Sequence, residues 1–201
     1  MTGSDNALRV ETLTGPGLVA ILPELARLRI EVFRDFPYLY DGTVAYEEGY
    51  LRKFAAAPGA VCVVARDGEK IIGASTGAPL LEHDPEFAAP FIAKGLDPAK
   101  LFYCSESVLS KAYRGRGLGH AFFDGREAHA RKLGGFTHST FSSVVRPADH
   151  PLRPADYQPL DAFWTKRGYR KAEGIVATYS WKDIDQPAET VKEMQFWIRE
   201  L

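Results

Sequence analysis

Three glycines alternate with arginine and leucine at Arg114-Gly115-Arg116-Gly117-Leu118-Gly119, between a strand-like run, Leu101 to Leu109, and a helix-like one. Glycines let successive backbone N–H groups turn toward one anion, and the first turn of a helix adds unpaired amides and a positive dipole end. The stretch therefore reads as a pyrophosphate cradle. Its register disfavours two better-known phosphate loops. No glycine sits three residues after Gly119, as a dinucleotide fold requires, and no Gly-Lys-Ser/Thr ending is present, as a nucleoside triphosphate requires. A nucleotide-dependent oxidoreductase is disfavoured with them.

A second concentration of polar chemistry lies in residues 146–159, where Asp149, His150, Arg153, Asp156 and Tyr157 are interleaved with Pro147, Pro151, Pro154 and Pro159. So many prolines exclude a helix or central strand, leaving an ordered loop or lid. His150 is a base candidate near neutral pH, or a solvated loop residue. His83, His120, His129 and His138 have no metal-ligand spacing with Cys62 and Cys104, so no metal is expected.

The elements that must position these groups can be read from hydrophobic period and turn residues. Leu8 to Leu13 alternates as a strand stopped by Gly15-Pro16-Gly17. Leu18 to Phe36 and Thr43 to Ala57 have helical spacing, separated by the aromatic turn Phe36-Pro37-Tyr38-Leu39-Tyr40-Asp41-Gly42. Ala60–Arg66 and Lys70–Ser75 form a hairpin around Asp67-Gly68. An insertion at about 79–100, with a short helix from Glu86 to Ala93, precedes a fourth strand at Leu101 to Leu109. A helix then runs from Leu118 to the Gly134-Gly135 stop, a strand from Phe136 to Val145, a helix from Leu160 to Arg167, and strands cover Ile175–Trp181 and Met194–Leu201.

The chain has 201 residues, 25 Lys+Arg against 26 Asp+Glu, and a net charge of -1. That length suits one domain over 8–201 after a flexible tail at 1–7. Near-neutral charge offers no field for nucleic acid or an anionic membrane. No signal-like or membrane-length apolar run is present, and Cys62 and Cys104 fall in apolar stretches as reduced thiols, so cytoplasm is the expected address. The apolar closing strand around Phe196 and Trp197 fits either a homodimer face or the chain's own core.

The stretch Val108-Leu-Ser-Lys-Ala-Tyr-Arg-Gly-Arg-Gly-Leu-Gly-His-Ala-Phe122 resembles the acyl-CoA strand, loop and helix of the GNAT superfamily of N-acyltransferases. Downstream, Asp161-Ala-Phe-Trp-Thr-Lys-Arg-Gly-Tyr169 is similar to that family's helix end beside the bound thiol, and the order of elements fits from Leu8 onward. The resemblance implies an α/β fold, a mixed, mostly antiparallel sheet of about seven strands with about four helices and a V-shaped splay between strands four and five. It implies acetyl-CoA as cosubstrate, with Val108 and Leu109 bonding pantetheine through the backbone and Arg114, Gly115, Arg116, Gly117, Leu118 and Gly119 around the pyrophosphate. His120, Phe163 and Trp164 would lie nearby.

By the same resemblance Glu106 is the general base, directly or through water, for a small-molecule or peptide amine; it is equally readable as a hydrogen-bonded or ion-paired strand glutamate. Tyr38, Tyr40 and Asp41 match the region that roofs the acceptor. Trp164 stands where the family's acid is usually a tyrosine, and an indole N–H is no acid. Tyr157, Tyr169, Tyr103, a water or no acid at all then remain for the departing thiolate. The leading expectation is direct N-acetyl transfer; the departure at Trp164 leaves a noncatalytic acyl-CoA sensor as the other.

Overall fold

The computed structural model describes residues 8–201; the tail at 1–7 lies outside the described residues. Seven strands form one sheet in the order β1-β2-β3-β4-β5-β7-β6. They are β1 (Arg9–Leu13), β2 (Val61–Asp67), β3 (Lys70–Pro79), β4 (Leu101–Leu109), β5 (His138–Val144), β6 (Arg170–Lys182) and β7 (Glu189–Glu200). Every neighbouring pair is antiparallel except β4 and β5. The helices are α1 (Gly15–Ala20), α2 (Leu22–Phe33), α3 (Val44–Ala55), α4 (Pro85–Ala93), α5 (Leu118–Leu133) and α6 (Asp161–Lys166).

Alternation along β2 divides the core. Cys62 and Val64 pack with Leu25, Leu28 and Leu51 of α2 and α3, whereas Val63 and Ala65 pack with Leu118 and Phe122 of α5. Both cysteines are free and buried. Phe196 and Trp197 are buried in the chain's own core, which removes them as a dimer face. No helix among the described residues is long and apolar enough to cross a membrane.

Two expectations about elements need correction. The first helix is not continuous: α1 starts at Gly15, and the chain breaks at Ile21 before α2. Pro16 and Pro23 each occupy a first helical turn, where a missing N–H costs nothing, so Gly15-Pro16-Gly17 starts a helix as well as ending a strand. That break, with the expected insertion helix α4, brings the helices among the described residues to six, in rough accord with about four outside the insertion. The strands β6 and β7 are also longer than their apolar runs, because their added ends pair through exposed polar residues such as Arg170 and Lys171 in β6 and Thr190 and Glu193 in β7.

Two irregularities in the sheet shape the space beside β4. This strand and β5 pair only over Leu101–Tyr103 with His138–Thr140 and then diverge. β4 also carries one extra residue opposite β3, since Thr76 pairs with Glu106 but Ala78 with Tyr103. Such a bulge breaks side-chain alternation, so neighbouring Ser105 and Glu106 both line one cavity.

Candidate active site

The divergence of β4 and β5 opens a cleft of about 1290 Å³. Past Tyr103 the facing strand edges have no strand partner, leaving backbone groups available to a ligand. Gly115 and Gly117, at φ +78° and +79°, turn the chain at the cleft end, and a Cβ at either would meet open space. The amides of Gly115 through Gly119 bond to no other backbone group among the described residues. Five unengaged N–H groups in one glycine turn fit a pyrophosphate. Gly119 has a different reason: a Cβ there would lie 3.3 Å from Phe163 of α6, so a side chain would require that ring to give by a few tenths of an ångström.

The residues expected around the cofactor, from Leu109 and Arg114 through His120 to Phe163 and Trp164, line this cleft, with two exceptions. Val108 packs its side chain into the core under α2, so it can contribute only backbone. Arg116 folds over Tyr113, 5.1 Å from the ring centroid, and its guanidinium lies outside the cleft. The His120 ring lies 4.9 Å from that of Phe163. Trp164 packs on Phe141 and Trp197, at 4.9 and 5.1 Å between ring centroids, and is thus both cleft wall and core.

A second cavity of about 440 Å³ adjoins the first, and Phe33, Tyr38, Ser105 and Glu106 line both. Glu106 is ion-paired with Arg29 of α2, which also pairs with Glu47 of α3. These three side chains are at most 9% exposed, so two carboxylates and one guanidinium form a buried triad with one net negative charge. Burial opposes the Arg29 charge, but Glu106, Tyr50 and Glu47 beside it prevail and hold its pKa above the ordinary value. Tyr50 presents its hydroxyl 3.5 Å from Glu106, and its ring lies 4.7 Å from the Arg29 guanidinium carbon. Burial and the Glu106 carboxylate push the Tyr38 phenol up to about 12. Arg126, buried in α5, donates at 2.9 Å to the Glu106 carbonyl and at 3.2 Å to that of Thr76, clamping the bulge.

Tyr38, Tyr40 and Asp41 all line the smaller cavity. Asp41 is committed to Lys182 at 2.8 Å and Arg34 at 3.3 Å, and these contacts hold its carboxyl below the usual range. The aromatic turn is fixed from outside by Arg146, which donates to the carbonyls of Pro37 and Tyr38 at 2.7 Å and grips Asp183 at 2.7 and 3.0 Å.

Within the proline-rich segment, the structure separates the two sequence candidates. Tyr157 lines the large cleft against Phe36, and its hydroxyl has no partner among the described residues. His150 lines neither cavity; its Nδ1 accepts the Leu152 N–H at 3.2 Å in a local turn, and its ring lies 5.8 Å from that of Phe36 in the cleft wall. The other tyrosines considered for the acid are engaged. Tyr169 donates to Glu127 at 2.9 Å and is 2% exposed, and the Tyr103 hydroxyl lies 2.7 Å from that of Ser142.

Sequence reasoning missed Arg29, Tyr50 and the rings that β6 contributes. Arg29 did leave a signal, since it interrupts the apolar stripe Leu22, Leu25, Phe33 on the core face of α2, and Glu47 does the same beside Leu51 and Phe54 in α3. Opposite charges on two core stripes of neighbouring helices imply a buried pair.

Residues 25–155 match the sequence model of the acetyltransferase (GNAT) family. No curated protein matches the chain in sequence. Among solved structures it is similar to an acetyltransferase from Thermus thermophilus, at 14% identity over 97% of both chains with a TM-score of 0.58. Arabidopsis thaliana NAA60 in complex with acetyl-CoA aligns at 13% identity over 97% of this chain and 99% of that one, with a TM-score of 0.63. Ribosomal-protein-alanine N-acetyltransferase from Brucella melitensis aligns at 11% identity, 96% and 99% coverage and a TM-score of 0.62.

Proposed function

Because the chain belongs to the GNAT acetyltransferase family, we propose that it moves an acetyl group from acetyl-CoA in the large cleft to a primary amine in the smaller cavity. The observation that carries this reading is the shared wall: Glu106 borders both cavities, where an amine and a thioester would meet. Acetyl-CoA supplies the thioester carbonyl that the amine attacks. The amides from Gly115 to Gly119 hold its pyrophosphate, and the unpaired edge of β4 holds its pantetheine arm.

An alkyl ammonium has a pKa of about 10.4, so it must lose a proton before it can attack. The net negative triad draws the ammonium in, and Glu106 accepts the proton directly or through water. Tyr157, with its free hydroxyl, donates to the departing thiolate. Cys104 is no nucleophile: it is 1% exposed, burial raises its pKa, and its sulfur lies 3.4 Å from the Ser139 hydroxyl.

Isothermal titration should give saturable acetyl-CoA binding, and a thiol-release assay should give amine-dependent turnover. Glu106→Gln should lower kcat/KM by roughly 10² to 10⁴ while leaving acetyl-CoA affinity unchanged. Absence of saturable binding overturns the reading. Binding without thiol release across an amine panel would instead support the noncatalytic sensor, the second reading that Trp164 motivates.

A further inference from the structure

We propose that the smaller cavity selects a monoamine with one ammonium on an apolar, preferably aromatic, body. Its identification as the acceptor rests on the acyl-transfer reading above; its selection as a ligand of the cavity does not.

The cavity has the volume of a small-molecule site, in the range of about 300–1,000 Å³. Six tyrosines, two phenylalanines and a tryptophan line it. Such walls favour an apolar body and, with their electron-rich faces, a cation. Arg29 already covers two of the faces, lying 5.2 Å from the Phe33 centroid and 4.7 Å from that of Tyr50, which leaves the outer rings to the ligand.

The charges limit how many cations the ligand can bring. Asp41 is matched by Lys182 and Arg34, and Asp84 by Lys53 at 3.1 Å. Glu189 is exposed to solvent. Among the charged groups lining this cavity, what remains buried and unmatched is the single net negative charge of Glu47, Arg29 and Glu106; the buried Arg126 guanidinium, bonded to the Glu106 carbonyl, lines only the large cleft. His83 adds no positive charge at neutral pH, since burial lowers its pKa to about 4. One ammonium is therefore compensated, whereas a second, held among the rings, would have no partner.

The insertion narrows the cavity, with Asp84 and Phe87 in its wall. Phe87 of α4 packs at a tilt against both Tyr103 and Tyr179, at 5.4 and 5.7 Å between centroids. The Tyr46 hydroxyl of α3 reaches within 3.4 Å of that of Tyr179 on β6. These contacts tie the insertion and α3 to β6 in the cavity wall, which favours a compact amine over one carried on a peptide backbone.

The test uses the full chain and five probes: phenethylamine, 2-phenylethanol, ethanolamine, spermidine and a tetrapeptide with a free N-terminus. Each is titrated calorimetrically with coenzyme A present, and the amines are assayed for thiol release with acetyl-CoA. Phenethylamine should bind at least tenfold more tightly than each of the other four and, where turnover occurs, show at least tenfold higher kcat/KM than the other amines. Phe87→Ala should narrow that gap while leaving acetyl-CoA affinity unchanged. Preference for spermidine, ethanolamine or the peptide, equal binding of 2-phenylethanol, or no binding of phenethylamine overturns the proposal. Selective phenethylamine binding without any thiol release would uphold the ligand class and remove acyl transfer, so the two failures are distinct.

Discussion

The two cavities that meet at Glu106 are built in different ways. The large cleft is backbone work: a sheet that loses its pairing after three residues, and a turn whose glycines leave five amides unengaged. The smaller one is side-chain work, with walls drawn from α2, the aromatic turn, α3, the insertion, β4 and β6. A backbone site constrains few side chains and suits a ligand that does not change. A side-chain site can be respecified one residue at a time, so it is where an acceptor is chosen.

The same contrast explains what could be read in advance. The glycine turn, β4 and α5 are contiguous in sequence, and their signals (glycine register, an apolar run, helical spacing closed by glycines) are local. The expected bounds Leu101–Leu109 and Leu118–Leu133 therefore match the structure. Arg29 and Glu106 are 77 positions apart in the chain, and nothing local pairs them. Tyr157 and His150 looked alike as polar residues in one proline-rich loop; only the fold turns one into the cleft and the other into a local turn.

The strongest way to break the comparison is to remove the charge that the side-chain site is built around. Arg29→Ala should cost about 3–5 kcal/mol of unfolding free energy, because it leaves Glu47 and Glu106 buried and unpaired. Urea denaturation at pH 7 measures it. Adding Glu47→Gln and Glu106→Gln to Arg29→Met should recover most of that loss without restoring turnover, which would separate the triad's structural role from its chemical one.

Acid should loosen the same region. Below pH ~6.5 the unfolded chain protonates His83, whereas in the fold burial delays protonation to about pH 4, against the pull of Glu106 and Asp84. Stability contributed by neutral His83 is thus fully present above ~6.5 and declines as pH falls toward 4, by up to roughly 3 kcal/mol. Unfolding curves at pH 7 and 5 should show the decline, and His83→Gln should flatten it; an unchanged slope in that variant would discount His83.

A backbone site should respond to backbone strain alone. Gly117→Ala forces a Cβ into φ +79°, a cost of about 1–2 kcal/mol, which predicts acetyl-CoA affinity about tenfold weaker. Amine affinity should not move, since Gly117 borders only the large cleft. Equal weakening of both ligands would mean that the two cavities are coupled rather than merely adjacent.

The smallest expected effect concerns the departing thiolate. A thiol of pKa about 8.5 gains at most about 2 kcal/mol from being protonated at pH 7, so the loss of any acid should slow turnover by about thirtyfold at most. If Trp164 only packs on Phe141 and Trp197, Trp164→Phe should change kcat by less than about threefold, within what a fitted aromatic replacement costs. Tyr157→Phe keeps the ring on Phe36 and removes only the hydroxyl, so it should fall between those two limits. A Trp164 effect larger than the Tyr157 one would place leaving-group control in the helix after all. Two negligible effects would mean that the thiolate departs unassisted.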